Sequence, residues 1–322
     1  MRISIIGPAY PYRGGIALHN NLLYKEFSNK HTTEIINFKR QYPGILFPGK
    51  TQYEESKTFA HIPSFRILDS INPISWHKAA NHIKLFSPDL IIIQFWMPFF
   101  SPCYGRIVRL LKKNSCSKTI IICHNIVPHE GSPIDKLLTK YLFSKADGFI
   151  IQAHSVEKDL LELRPDAKYR YNPHPIYNIF GNPLDKTETR KQLGIKEKNV
   201  ILYFGYIRKY KGVKYLIRAV PEILKKLDLK VIIAGEFYED KKQYLQEIRN
   251  IDREGKIALI DRYIPDEDVN TYFSAADLVV LPYINATQSG IVQIALSYNL
   301  PCVVTVSYTH LRAHETSLHL VC

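Results

Sequence analysis

Val200-Ile201-Leu202-Tyr203-Phe204-Gly205-Tyr206-Ile207-Arg208-Lys209-Tyr210-Lys211-Gly212 is the stretch on which the fold turns. Its first five residues are a short β-branched and aromatic run closed by glycine, the pattern of a buried parallel strand. A helical apolar period follows over Val213–Lys226, so the segment reads as strand, loop, helix. The loop gathers cations just where a helix begins. Arg208 offers a planar fork to phosphate oxygens and Lys211 a mobile point charge. Both are expected as solvated loop cations that contribute little to folding.

Outward from this unit the alternation continues. Strand Lys230–Ala234, helix Lys241–Asn250 and strand Ile257–Ile260 come next, then a helix opened by Pro265-Asp266-Glu267 and running to Ser274. Strand Leu278–Leu281, helix Gly290–Tyr298 and strand Cys302–Thr305 complete the series. A similar series precedes it. Strands are expected at Arg2–Ile6, Leu90–Gln94, Thr119–Cys123 and Gly148–Gln152, with helices at Ile16–Phe27, Tyr104–Lys113, Ile134–Ser144 and Ser155–Leu163. Gln41–Pro73 reads as an irregular insertion of loops. Asn172-Pro173-His174-Pro175 and Gly181-Asn182-Pro183 cannot continue a helix or a central strand. The expected organisation is therefore a first domain over 1–172, a linker over 173–185 and a second domain over 186–305. Two successive βα series imply two doubly wound parallel sheets, with ligand at their carboxyl edges.

The tail Val306–Cys322 has neither helical nor strand period. It resembles the in-frame translation of a sequencing-library adapter, which would make it a non-native scar and leave the second domain incomplete.

A chain of 322 residues has room for about two domains. Its 46% hydrophobic content excludes intrinsic disorder, and no apolar run reaches the roughly 18 residues a membrane span needs. Residues 2–8 lack the cleavage region of a signal peptide. Five cysteines without CxxC spacing fit a reducing, cytoplasmic compartment. The net charge of +13 is uneven: residues 1–178 hold 23 Lys+Arg against 13 Asp+Glu. Such an excess fits an anionic partner or a solvated basic face.

Two further loops could meet a ligand. Gly14-Gly15 closes the loop after the first strand and opens a helix, so its amides can approach an anion, although the GxGxxG spacing of dinucleotide sites is absent. Ala286-Thr287-Gln288-Ser289-Gly290 lies between a strand and a helix and can act as a diphosphate nest or as an ordinary cap. His124 ends a strand and is expected to project at the carboxyl edge. His129, Glu130 and His174 are further candidates. No HExxH, DxD or cysteine cluster argues for a metal, so neither metal nor cofactor is expected.

With these motifs in order, the chain resembles a retaining, bacterial glycosyltransferase of the family 4 type with the GT-B fold. The resemblance covers residues 1–305 and rests on Gly7-Pro8, Gly14-Gly15, His124-Asn125, Gly205, Arg208, Lys211-Gly212, Ala275-Ala276-Asp277, Leu281-Pro282 and Gln288-Ser289-Gly290. It implies two Rossmann-like domains facing a cleft, and transfer of a hexose from a nucleotide-diphosphate sugar with retention. By the same resemblance, Arg208 and Lys211 neutralise the diphosphate, Gly14 and Gly15 close over the donor, Gly205 opens the phosphate loop and His124 meets the sugar. Two departures stand out. The family's usual arginine of the phosphate loop aligns with Tyr206, and its pair of glutamates eight apart is missing, whether the register is Asn285/Gln293 or Thr287/Ala295. Gln293 is favoured as a ribose contact.

The expected product is a surface polysaccharide built on a glycan or lipid-linked acceptor, with no nucleic acid involved. A non-catalytic glycan- or membrane-binding subunit and an epimerase on the same fold are the alternatives. The run 104–113 places Arg106, Arg109, Lys112 and Lys113 beside Ile107, Val108, Leu110 and Leu111. A helix there is expected to dock the protein peripherally on the anionic inner membrane face.

Overall fold

The computed structural model describes residues 1–44, 47, 49–113, 116–126, 132–176, 179–285 and 289–305. They fall into two compact units, the first made of Met1–Phe47 and Thr51–Pro173, the second starting again at His174.

In the first unit seven strands are joined by parallel pairing. β1 (Arg2–Ile6) leads through α1 (Gly15–Ser28) to β2 (Thr32–Arg40) and β3 (Phe65–Asp69). Next come α2 (Pro73–Phe86), β4 (Leu90–Phe95), a 3-10 turn at Pro98–Phe100 and α3 (Ser101–Lys112). β5 (Lys118–Cys123), α4 (Pro133–Phe143), β6 (Gly148–Ile151), α5 (His154–Leu163) and β7 (Tyr169–Tyr171) close the unit. The sheet order is β3-β2-β1-β4-β5-β6-β7. The order reverses between β1 and β4, the topological switch point at which such sheets receive ligands. The central strands are apolar on both faces, with Ile5, Ile35, Ile93 and Ile121 fully buried, as a sheet covered by helices requires.

In the second unit α6 (Lys186–Gln192) precedes β8 (Asn199–Phe204), α7 (Val213–Leu224), β9 (Leu229–Ala234) and α8 (Lys242–Ile251). β10 (Ile257–Ile260), α9 (Asp266–Ala275), β11 (Leu278–Leu281), α10 (Gly290–Ser297) and β12 (Cys302–Val304) follow. The five strands run parallel in the order β10-β9-β8-β11-β12, so the switch point lies between β8 and β11. Both units thus have the doubly wound topology read from the sequence. Among the described residues, no helix is long and apolar enough to cross a membrane.

Several elements depart from the sequence reading. Phe65–Asp69, placed among loops, is the edge strand β3. Only Leu68 of its five residues is fully buried, so it lacks the apolar run that marks a central strand. β2, α2, β7 and α6 were not expected at all. For α2 a signal existed: Asn72 caps it, its side chain accepting from the Ile74 amide at 3.0 Å, and Pro73 fills the first turn. Part of the expected linker is fastened to the second unit. The Tyr298 hydroxyl donates to the carbonyls of Phe180 and Gly181 at 3.0 and 3.2 Å, and the Leu184 amide donates to Ser274 Oγ at 2.9 Å.

The membrane reading of α3 is corrected. Ile107, Val108 and Leu111 are buried in the core cluster of the first unit and Leu110 is half-buried against it. The apolar stripe of α3 is consumed by packing on its own sheet, so it offers nothing for insertion into lipid. Arg109, Lys112 and Lys113 remain exposed, Lys112 paired with Asp147 at 3.4 Å, while Arg106 reaches His77 at 3.2 Å. Any attraction to an anionic surface through α3 rests on charge alone.

Candidate active site

The loops at the carboxyl edge of β8, β9 and β11 are laced together by backbone. The Ile207 amide donates to the Glu236 carbonyl at 2.8 Å, and the Tyr238 amide returns to Ile207 at 3.0 Å. The Ile284 amide donates to Tyr210 at 2.8 Å. After Gly205 the chain makes one 3-10 turn, Lys209–Lys211, and Gly212 caps the start of α7 at Val213. Gly212 has φ 69°, and a Cβ there would lie 1.7 Å from the Pro282 carbonyl oxygen. Only glycine lets the start of α7 approach the β11 loop so closely.

Lys211 is not the solvated cation expected from sequence. Its Nζ stands 4.3 Å from the Tyr283 ring centroid, 5.2 Å from Tyr206 and 5.4 Å from Tyr210. Burial works against its charge, but Tyr283 and Tyr206 more than offset this and hold its pKa above the ordinary lysine value. The loop therefore presents a fixed positive charge, preorganised by aromatic faces. Arg208 lies to one side, its guanidinium 5.1 Å from the Tyr238 ring and 5.7 Å from Tyr206. Those two rings stack at 5.1 Å and 13°. The Tyr206 and Tyr210 hydroxyls meet at 3.1 Å. The tyrosines are what sequence reasoning missed. Their signal was the i, i+4 spacing of Tyr206 and Tyr210 around two cations.

At the β11 loop, Ser289 is buried and its hydroxyl is 2.9 Å from that of Tyr283, while Gly290 is the first residue of α10. Ala286, Thr287 and Gln288 lie outside the described residues. Gln293 is half-buried on α10, Ala295 is in the core and Asn285 is exposed. No residue of α10 is acidic.

Ala275-Ala276-Asp277 turns out to be scaffold. Asp277 accepts from the Val200 amide at 2.8 Å, from Arg190 at 2.5 Å and from Lys186 at 2.9 Å, tying α6 to the entry of β8. Burial opposes its charge, yet Lys186, the Val200 amide and Arg190 hold its pKa below the usual carboxylate value.

In the first unit, polar side chains gather at the carboxyl ends of β4, β5 and β6. His124 is buried rather than projecting freely. Its Nε2 is 2.5 Å from Gln94 Oε1, and its amide donates to the Phe95 carbonyl at 2.8 Å. The His19 ring stands edge-on to it at 5.1 Å and 88°. Gln152 Nε2 is 3.4 Å from His19 Nε2. Gln94 Nε2, Gln152 Oε1 and Asn125 Oδ1 are buried with no hydrogen-bond partner among the described residues. Sequence reasoning did not single out Gln94 and Gln152; their signal was a polar residue at the carboxyl end of an apolar strand. Gly14 caps α1 with φ 105° and Gly15 follows as its first residue, both exposed with open space over their Cα atoms. His129 and Glu130 lie outside the described residues, and His174 opens the second unit away from this cluster in sequence. Among the described residues, no group of three or more His, Cys, Asp and Glu side chains could hold a metal ion.

A family model described as glycosyl transferases group 1 matches residues 198–320, from the entry of β8 onward. Over that span the second unit is similar to group 1 glycosyltransferases. The matched span runs into residues 306–320 of the tail that was expected to be foreign, and that tail lies outside the described residues. An uncharacterized glycosyltransferase of Methanocaldococcus jannaschii is 27% identical, covering 95% of this chain and 80% of that protein. A D-inositol 3-phosphate glycosyltransferase of Corynebacterium diphtheriae is 25% identical over 54% of this chain and 43% of its own length. Among solved structures, Anabaena HepE in complex with UDP and glucose has a TM-score of 0.73 at 17% identity, covering 99% of this chain and 84% of that one. Sucrose-phosphate synthase of Thermosynechococcus elongatus has a TM-score of 0.72 at 14% identity, covering 97% and 83%. These likenesses show the fold, two parallel α/β sheets as in GT-B glycosyltransferases.

Proposed function

We propose that the protein transfers a hexose from a nucleoside-diphosphate sugar to a glycan or lipid-linked acceptor, with retention, in the building of a surface polysaccharide. The observation that carries the reading is Lys211, a preorganised cation at the carboxyl end of β8, inside the span the family model matches. The UDP and glucose bound by HepE support this choice of donor. Departure of the diphosphate builds negative charge, which Lys211, Arg208 and the amides of Ser289 and Gly290 stabilise. Positive charge builds on the sugar ring, and His124 is the group assigned to the sugar. The acceptor hydroxyl attacks from the face the leaving group vacates, without an enzymic nucleophile and without a metal. A cytoplasmic setting belongs to the same proposal.

The absence of a carboxylate along α10 favours one rival, a subunit that binds the donor without turning it over. Calorimetric titration with UDP, followed by assay of UDP release from UDP-glucose, separates the two. Binding with release supports transfer, whereas binding without release under any acceptor supports the rival. Failure to bind UDP, GDP or ADP would refute both.

A further inference from the structure

We infer that Gln94 is a positioning residue that fixes His124 as its Nε2–H tautomer. Gln94 lies in β4 and His124 follows β5, and the two strands pair in parallel with Gln94 opposite Ile122. The His124 amide is bonded to the Phe95 carbonyl, so the backbone beside both side chains is anchored by the sheet. Gln94 is fully buried, and a Cβ on Gly7 would sit 3.4 Å from its stem and 2.6 Å from Asn20 Nδ2. The bare Gly7 backbone therefore packs close against the stem of the glutamine.

Within that frame the chemistry is one-way. A carbonyl oxygen can only accept, so Gln94 Oε1 at 2.5 Å requires a proton on His124 Nε2. In the neutral ring Nδ1 is then the remaining lone pair. The neighbouring histidine is held in the opposite sense. An amide nitrogen can only donate, so Gln152 Nε2 makes His19 Nε2 an acceptor. Two edge-to-face imidazoles thus take opposite tautomers from two neutral amides on flanking strands. The tautomer stands on geometry alone; its consequence for turnover rests on the glycosyl-transfer reading.

The test is long-range proton–nitrogen correlation NMR on the full chain with labelled histidine, about two pH units above the ordinary histidine value of about 6.5. His124→Gln identifies the signals to follow. The native protein is expected to show His124 protonated at Nε2, and Gln94→Met, similar in length but without an acceptor, to lose that preference. An Nδ1–H form in the native protein, or an unchanged tautomer in Gln94→Met, overturns the assignment. Should Gln94→Met not fold, Gln94→Glu keeps an acceptor in place and must retain the Nε2 proton; an Nδ1–H ring there overturns the assignment equally.

Turnover is the second readout. Gln94→Met should lower kcat about tenfold, equivalent to about 1.4 kcal/mol of barrier, with the donor KM within about twofold. Gln94→Glu should recover most of that loss. Loss of kcat and stability together without recovery in Gln94→Glu would mark Gln94 as merely structural. If no nucleoside-diphosphate sugar is turned over by the native chain, the glycosyl-transfer reading falls while the NMR result still decides the tautomer.

Discussion

Replacing Lys211 by methionine removes the charge but keeps most of the hydrocarbon stem, so it isolates what the ammonium does. A charged hydrogen bond to phosphate is worth about 1.5–3 kcal/mol, which predicts UDP binding weaker by about 10- to 150-fold. The folding effect follows from the same site. Three ring faces within 4.3–5.4 Å of Nζ each attract it, at about 0.5–2 kcal/mol apiece. Burying the charge costs a comparable amount. The net loss of stability should therefore be small, about 1 kcal/mol or less. Calorimetric titration with UDP and with uridine is the assay, with urea denaturation alongside. Uridine lacks phosphate, so its affinity should not change. Equal UDP affinity in native and variant proteins would refute the phosphate role of Lys211. A parallel loss of UDP and uridine would show that the substitution had disordered the loop, refuting the claim that the charge alone is removed.

Two other outcomes test the framework around this site. Asp277→Asn should destabilise the second unit by about 1 kcal/mol at neutral pH, a modest figure because the carboxylate is partly exposed. Since its native pKa is depressed, that stabilisation is complete above the unfolded value of about 3.9 and fades as pH falls through the native value. The gap between native and variant urea midpoints should accordingly close in acid, and a pH-independent gap would contradict the ion-pair account. Ile107→Ala should cost about 2–5 kcal/mol in denaturant unfolding, because Ile107 is fully buried. A loss under about 1 kcal/mol would mean that the apolar face of α3 is not core after all.

The two-sheet architecture was legible because parallel strands buried on both faces leave unbroken β-branched runs, such as Ile91-Ile92-Ile93 and Val231-Ile232-Ile233. The loop after β8 was legible as a loop, since Gly205 and Gly212 bound a cationic turn between an apolar strand and a helical period. Edge elements were not. β3 and β7 border one neighbour each and are short with little full burial, so neither shows the unbroken apolar run of a central strand.

Chemical roles divided along the same line. Residue types and their spacing determined that a glycine-bounded, cationic loop precedes α7 and that His124 lies at the end of a strand. Only the tertiary structure decided that Lys211 lies among tyrosines contributed by the loops after two different strands, and that Gln94, one strand away, meets His124. It also turned the basic, apolar helix α3 inward. Local sequence dictates backbone period and turn chemistry. What a side chain touches depends on strands distant in the chain, and a single stretch of sequence carries no record of that packing.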